Sequence, residues 1–507
     1  MKTFRYLTIV LVGILLFSCE VDYISNPNEP EVAPTYGIMN RVQKRYMDIT
    51  RDEWFSGRMS LLWVQYWNQV NYTEEDRFQY RETVNQASWN DTYTIAQDLV
   101  DLINYNTDDE TKDDAAKFGP NENQIAAARI MLVYIFHTAT ELWGDIPYYS
   151  YGGDNPDFQA NMLKSDEPID QPAYASQEDI YIDMLEELED AQASIIEDEK
   201  MIDGDNFYDG DAVKWKKFAN SLRLRIANRI KEVYSGAEAH INDAIAQGVF
   251  ESNADNPGVE YEANAVNGAP MYRAFYVDNR TDFAPSASFV ELLQGKRGPF
   301  GMVDPRLDIY VADNEYGDKV GIPLVENNSI VNSFKYESLP GDAVLAADKT
   351  EYYMEYAEVC FIMSEVNGWD QDWYEKGVQA SMENWGVPQA AIDAYIEALP
   401  GANEENVMMQ KYIALYMQPM EAWSEYRRTG YPNTLIKPNE PYDYTYPTPD
   451  GDVTTEYVFK PIGGLDDLPA RNKYLLNEYS VNEENVNAAK ARMGGDEQDT
   501  ELWWMGN

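Results

Sequence analysis

Histidine and cysteine are nearly missing from this chain of 507 residues: only His137 and His240, and only Cys19 and Cys360, occur. Two histidines give no basis for a His-rich metal site and weaken any scheme built on a His base. Two distant cysteines exclude a disulfide framework and a Cys-rich zinc site. Positive charge is scarce as well. Lys and Arg total 39 against 88 Asp and Glu, for a net charge of −49. Nothing here would neutralise phosphates, so nucleic acid is excluded as a partner. Electrostatic docking onto an anionic leaflet is disfavoured for the same reason. No Gly-rich phosphate loop, H-E-x-x-H, G-x-S-x-G or C-x-x-C is present. Counting alone does not exclude a glycosidase pair among so many carboxylates. The lack of a nucleophile signature favours binding over catalysis, and no cofactor is called for.

What is there is apolar bulk and many rings. Hydrophobic residues make 44% and charged residues 25%, an ordinary globular balance. The length allows a large core. Twelve Trp, 38 Tyr and 17 Phe make 13% of the chain. Tyrosine carries a flat apolar face and a hydroxyl, which suits a wet binding surface. For most of these rings taken singly, packing in a helical core is the simpler reading.

The N-terminus is a targeting segment. Lys2 and Arg5 precede an apolar run at 6–17, YLTIVLVGILLF. The run is shorter than the roughly 20 residues of a membrane span and has the length of a signal-peptide core. Ser18-Cys19 then closes it. A small residue before a Cys at that place marks a lipoprotein signal peptide at 1–18, with Cys19 taking the lipid. The competing reading is a secreted chain with an incidental Cys. The polar, proline-bearing stretch at 19–35 reads as an extended tether. No second apolar run of membrane length follows, so the mature chain is expected to be anchored to a membrane and not to span it.

From residue 36 onward the pattern is mainly helical, and 36–507 reads as a single domain. Helical spacing covers 36–50, 57–71, 86–105, 121–142, 177–199, 212–234 and 236–247, then 351–366, 370–385, 388–399, 403–428 and 482–493. The Gly-, Pro-, Asn- and Asp-rich stretches 250–350 and 430–480 read as long ordered loops with short hairpins. The stretch 177–234 illustrates the logic. Tyr181, Met184, Leu185, Leu188 and Ile195 stripe its first helix, whose other face is acidic. Asp211 is placed to cap a second helix striped by Trp215, Phe218, Leu222, Ile226 and Ile230. That helix is basic, so the two are expected to pack antiparallel and pair charges. Asp203, Asp205, Asp209 and Asp211 do not fit the EF-hand series and read as a cap and a turn. Repeated helix pairs suggest an α-solenoid, although no fixed period survives.

One aromatic cluster stands out between residues 54 and 93. Within it, Tyr66, Trp67, Tyr72 and Tyr80 alternate with Asn68, Asp76 and Arg81. Rings beside polar forks are what a sugar needs: its C–H face packs on the ring while its hydroxyls meet the polar groups. A second such stretch, 271–283, contributes Tyr272 and Arg280. Core or loop packing competes at every one of these positions. Leu61, Leu62 and Trp63 belong to a helix and are expected in the core. Cys360, in an apolar helical stretch, reads as a buried thiol.

Several segments together resemble a known family: the Cys19 lipobox, GRMSLLWVQYWNQVNYTEEDRFQYR at 57–81, GDAVKWKKFANSLRLRIANRI at 210–230, YAEVCFIMSE at 356–365, SMENWGV at 381–387, QKYIALYMQPMEAWSEYRRTGYP at 410–432 and LPARNKY at 468–474. NVNAA at 485–489 and the closing ELWW continue it. The chain resembles the SusD/RagB outer-membrane lipoproteins, more closely their second SusD-like branch. The resemblance implies an all-α fold of tetratricopeptide-like helix pairs, with long ligand-face loops and minor β-hairpins. It implies a lipid-anchored protein at the outer membrane, facing the cell exterior, that captures a nutrient without catalysis. It implies a SusC-like TonB-dependent transporter as partner and an oligosaccharide as ligand. The alternatives are a peptide-binding RagB-like protein, a surface-anchored glycoside hydrolase using two carboxylates, and a lid with no ligand of its own. A deep cleft with two facing carboxylates would favour the hydrolase.

Overall fold

The computed structural model describes residues 33–505 apart from Asp166. The signal peptide at 1–18, Cys19 and the tether as far as residue 32 lie outside the described residues. Twelve helices of ten residues or more fall within them. The first group is α1 (Thr35–Thr50), α2 (Glu82–Thr107), α3 (Asn121–Trp143), α4 (Gln177–Ser194), α5 (Ala212–Ile230) and α6 (Ala237–Gln247). The second is α7 (Tyr356–Val366), α8 (Gln371–Asn384), α9 (Gln389–Ala398), α10 (Glu404–Ala414), α11 (Pro419–Thr429) and α12 (Glu483–Met493). From α1 to α6 each helix packs on the next; α7 packs on α8 and α8 on α9, while α7 also meets α5 and α10. This serial pairing is a tetratricopeptide-like, all-α architecture.

Strands are short: β1 (Trp67–Gln69), β2 (Gly258–Glu260), β3 (Phe283–Pro285), β4 (Thr350–Tyr352), β5 (Pro441–Tyr446) and β6 (Val453–Val458). They form three antiparallel pairs, β1 with β3, β2 with β4 and β5 with β6. Only β5–β6 is a local hairpin. The other two pairs pin segments some two hundred and some ninety residues apart in sequence.

The α4–α5 stripe is as the spacing dictates, with Tyr181, Met184, Leu185, Leu188, Trp215, Phe218, Leu222, Ile226 and Ile230 all fully buried. Asp211 caps α5 by accepting from the backbone N–H groups of Val213 and Lys214. Asp205 shapes the preceding turn, accepting from the N–H groups of Phe207, Tyr208 and Gly210. Cys360 is buried, and burial pushes its thiol up to about 12.

Three expectations are corrected. The stretch 57–71 is helical only over Ser60–Trp63, because Gln65 turns into the left-handed region at φ 55° and β1 then pairs with β3. The expected helix 403–428 breaks into α10 and α11, where Met417 takes φ 68° and Pro419 restarts the helix without needing an N–H donor. The basic face of α5 is only partly matched by α4. Arg223 pairs with Glu189 of α4 and Lys216 with Glu197 just beyond its end, but Arg225 turns to Glu358 of α7, Lys231 to Glu365 of α7, and Arg229 to Glu141, Glu421 and Glu425 on α3 and α11. The basic helix is the hub of the whole array.

Candidate functional site

The aromatic cluster chosen from sequence divides sharply by burial. Tyr66, Trp67, Asn68 and Asp76 are all inside the protein. Tyr66 stacks on Tyr412 with ring centroids 4.5 Å apart. Trp67 donates from Nε1 to the Tyr416 hydroxyl at 2.8 Å, and Asn68 donates to the Ile322 carbonyl at 3.1 Å. Asp76 accepts from the Gln69 N–H at 3.0 Å, and burial pushes its carboxyl well above the usual range. These four hold β1 in the core and do not face a ligand. The cause is that β1 is covered on both faces, so its alternating residues all point into protein.

The others lie nearer the surface. Tyr80 is half-buried and donates to Glu82 at 2.8 Å. Tyr72 is 62% exposed. Arg81 is exposed and pairs with Glu75 at 2.6 Å. The two aromatic stretches do meet, because β1 pairs with β3 and the Val70 N–H reaches the Asp282 carbonyl at 2.8 Å. Tyr272 is half-buried beside Tyr276, 5.5 Å away, and Arg280 is exposed. Substituting Trp67→Phe deletes the bond to Tyr416 and trims a core ring. It should lower stability by about 1.5 kcal/mol without a comparable loss of ligand affinity. Urea unfolding beside a binding titration checks this, and weaker binding at unchanged stability would return Trp67 to the ligand face.

A cleft of about 280 Å³ lies elsewhere, where three distant segments meet. Lys349, Glu351, Tyr352 and Glu355 come from β4 and the chain leading into α7; Asn384 and Trp385 come from the end of α8; Met417 and Gln418 come from the break between α10 and α11. Local sequence places each of them. Gly258 is the register partner of Tyr352, and a Cβ there would lie 2.8 Å from the Tyr352 ring. The glycine therefore leaves room for the ring on the cleft wall. Gly386, at φ 75°, ends the helical turn after Trp385. Met417, in the left-handed region, swings Gln418 toward Glu355.

Trp385 is half-buried, with its ring edge-on to Tyr310 at 4.9 Å and tilted against Tyr416 at 6.1 Å. Its Nε1 donor is buried and has no partner among the described residues. The Lys349 ammonium lies 5.7 Å from the Trp385 ring and pairs with Glu351 at 3.1 Å. Glu355 is 5% exposed and accepts from Gln418 Nε2 at 2.9 Å and Asn384 Nδ2 at 3.2 Å. Burial is the main cause that pushes its carboxyl up to about 7, with Glu358 adding to it. Rings, amides and carboxylates thus share one concave surface, which suits a polyhydroxylated ligand. Sequence reasoning missed every one of these residues. The available signal was Asn384-Trp385-Gly386, a ring beside an amide at a helix end, in SMENWGV.

Residues 27–447 match a family described as "Starch-binding associating with outer membrane". The chain belongs to the SusD-like family. A second family, described as SusD and RagB outer membrane lipoprotein, matches this SusD-like chain over residues 400–505. Solved structures agree in fold. A chitin-binding protein is 26% identical, with 93% of this chain and 100% of that chain covered and a TM-score of 0.73. A chitin-binding SusD homolog from Flavobacterium johnsoniae is 22% identical, covering 93% and 98%, with a TM-score of 0.70. A SusD homolog from Parabacteroides distasonis is 21% identical, covering 93% and 98%, with a TM-score of 0.75. No curated protein matches the chain.

Proposed function

We propose that this SusD-like protein captures a glycan in the Trp385 cleft and delivers it to a SusC-like TonB-dependent transporter, held at the outer membrane by a lipid on Cys19 and facing the cell exterior. The observation that carries the reading is the cleft: two accessible rings, Trp385 and Tyr352, stand beside Asn384, Gln418 and Glu355 with space between them. A sugar stacks its C–H face on a ring and presents hydroxyls to such groups. The 26%-identical chitin-binding structure supports a chain of N-acetylglucosamine as the first ligand to try. The test is calorimetric titration of the soluble protein with N-acetylglucosamine tetramer and with an uncharged linear tetrapeptide. Binding of the tetramer supports the reading; binding of the peptide alone makes the protein a RagB-like peptide binder.

Anchor and partner have their own test. Mild-detergent pull-down from the membrane fraction should bring down a much larger β-barrel protein. Cys19→Ala should release the protein from that fraction and incorporate no labelled fatty acid. Recovery of the protein alone, or lipid on the Cys19→Ala chain, overturns that part. A hydrolase is the second reading, because Glu351 and Glu355 both line the cleft. New reducing ends appearing during incubation with the tetramer would favour it.

A further inference from the structure

Glu355 is a buried carboxylate without a cation. Its two hydrogen bonds come from the neutral amides of Gln418 and Asn384. Among the described residues no Lys or Arg forms an ion pair with it. The nearby cations do not pair with it. Lys349 is held by Glu351 at 3.1 Å. Among the described residues Arg51 forms no ion pair with any carboxylate; it donates to the Tyr352 carbonyl at 3.1 Å. Glu358 is held by Arg225. A buried carboxylate is costly until a cation is brought to it. Burial disfavours the charged form of Glu355; a ligand hydroxyl can bond to either form, whereas an ammonium group stabilises and compensates the charged one.

The same cleft already holds an ammonium group. The Lys349 Nζ sits between the Glu351 carboxylate, at 3.1 Å, and the Trp385 ring, at 5.7 Å from its centroid. Carboxylate and ring face together are a favourable seat for an ammonium. Glu351 has its cation in the chain itself; Glu355, on the same cleft, has none. The overall charge of −49 draws cationic ligands toward the surface.

We infer that Glu355 receives a primary ammonium group of an amino sugar, so that the cleft prefers a glycan with free 2-amino groups over its N-acetylated counterpart. The inference rests on the reading that the cleft binds glycan, and it narrows the ligand to a deacetylated or partly deacetylated aminoglycan. The amine nitrogen takes the place of a lysine ammonium against the carboxylate. The sugar face lies on the Trp385 ring.

The test is titration at 150 mM salt, where attraction to distant surface charge is largely screened. The probes are glucosamine tetramer, N-acetylglucosamine tetramer and tetralysine, against the wild-type protein and Glu355→Gln. Wild type should bind glucosamine tetramer at least tenfold more tightly than the acetylated tetramer, and more tightly than tetralysine. In Glu355→Gln the ratio of the two sugar affinities should fall to about one. The wild-type comparison needs no variant, so a poorly folding Glu355→Gln does not shelter the claim. Equal wild-type affinities for the two tetramers overturn the inference and leave glycan capture standing. A preference kept in Glu355→Gln assigns it to overall charge and also overturns the inference. Tetralysine binding as tightly as glucosamine tetramer overturns the amino-sugar source. Failure of both sugars to bind removes the glycan reading as well.

Discussion

Arg229→Ala should destabilise the protein by about 3–5 kcal/mol, the cost of stranding buried charge when one partner of an ion pair is removed. Arg229 has no exposed side-chain surface. It donates to Glu141 Oε1 at 2.8 Å and Glu421 Oε1 at 2.5 Å, and it pairs with Glu425 as well. It thus ties α5 to both α3 and α11. Burial alone would raise the Glu141 and Glu425 carboxyls, yet Arg229 and the neighbouring cations outweigh it and hold both well below the usual range. Carboxylates depressed in the folded state contribute stability above their unfolded value and lose it as pH falls. Without Arg229 these two carboxyls move upward. The gap between variant and wild type should therefore be widest at pH 7 and narrow as pH falls below about 4.5. Urea unfolding at pH 7 and pH 4 measures it. A loss under about 1 kcal/mol at pH 7, or a gap that widens in acid, contradicts the role given to Arg229.

The neighbouring Glu365 follows the same rule. Burial raises it, but Arg428 and Lys231 outweigh burial and hold it at about 2. Its contribution is therefore complete above about 4.5 and is lost as pH falls toward 2. Glu141, Glu425 and Glu365 thus tie helices distant in sequence through pairs that weaken in acid.

The fold was legible where local and global demands agree. α3 is apolar nearly all round and ends up buried nearly all round. The α4 and α5 stripes and the Asp211 cap are fixed by residues within a few positions of one another. β1 was illegible because a short apolar run buried on both faces has no period to tell strand from helix. The spacing therefore reads as a helix over 57–71 followed by a polar loop, and that reading puts Trp67 on the ligand face. The charge pairing of α5 was half legible. An acidic neighbour in sequence was visible, while Glu358, Glu421 and Glu425 reach it only through the packing of the second helix group. The cleft was the least legible part. It needs residues near 350, 385 and 417 brought together, and no local pattern connects them. Among the sequence candidates, Tyr72, Arg81 and Arg280 are exposed and Tyr272 is half-buried, and none of them lines the cleft.

Trp385→Ala should remove most glycan affinity. Truncating a central aromatic anchor costs about 2 kcal/mol or more, roughly thirtyfold in affinity. Because Trp385 also packs on Tyr310 and Tyr416, the variant should melt earlier, and binding is read well below its melting temperature. Tyr352→Ala, which removes the other ring lining the cleft, should weaken binding in the same direction. Tyr72→Ala removes an exposed ring that does not line the cleft and serves as the comparison. The decisive measurement is calorimetric titration of N-acetylglucosamine tetramer into wild type, Trp385→Ala and Tyr72→Ala, each shown to be folded by thermal melt. A cleft-borne site predicts a loss of about thirtyfold in Trp385→Ala and less than threefold in Tyr72→Ala. Full affinity in folded Trp385→Ala, with the large loss falling on Tyr72→Ala, would contradict it.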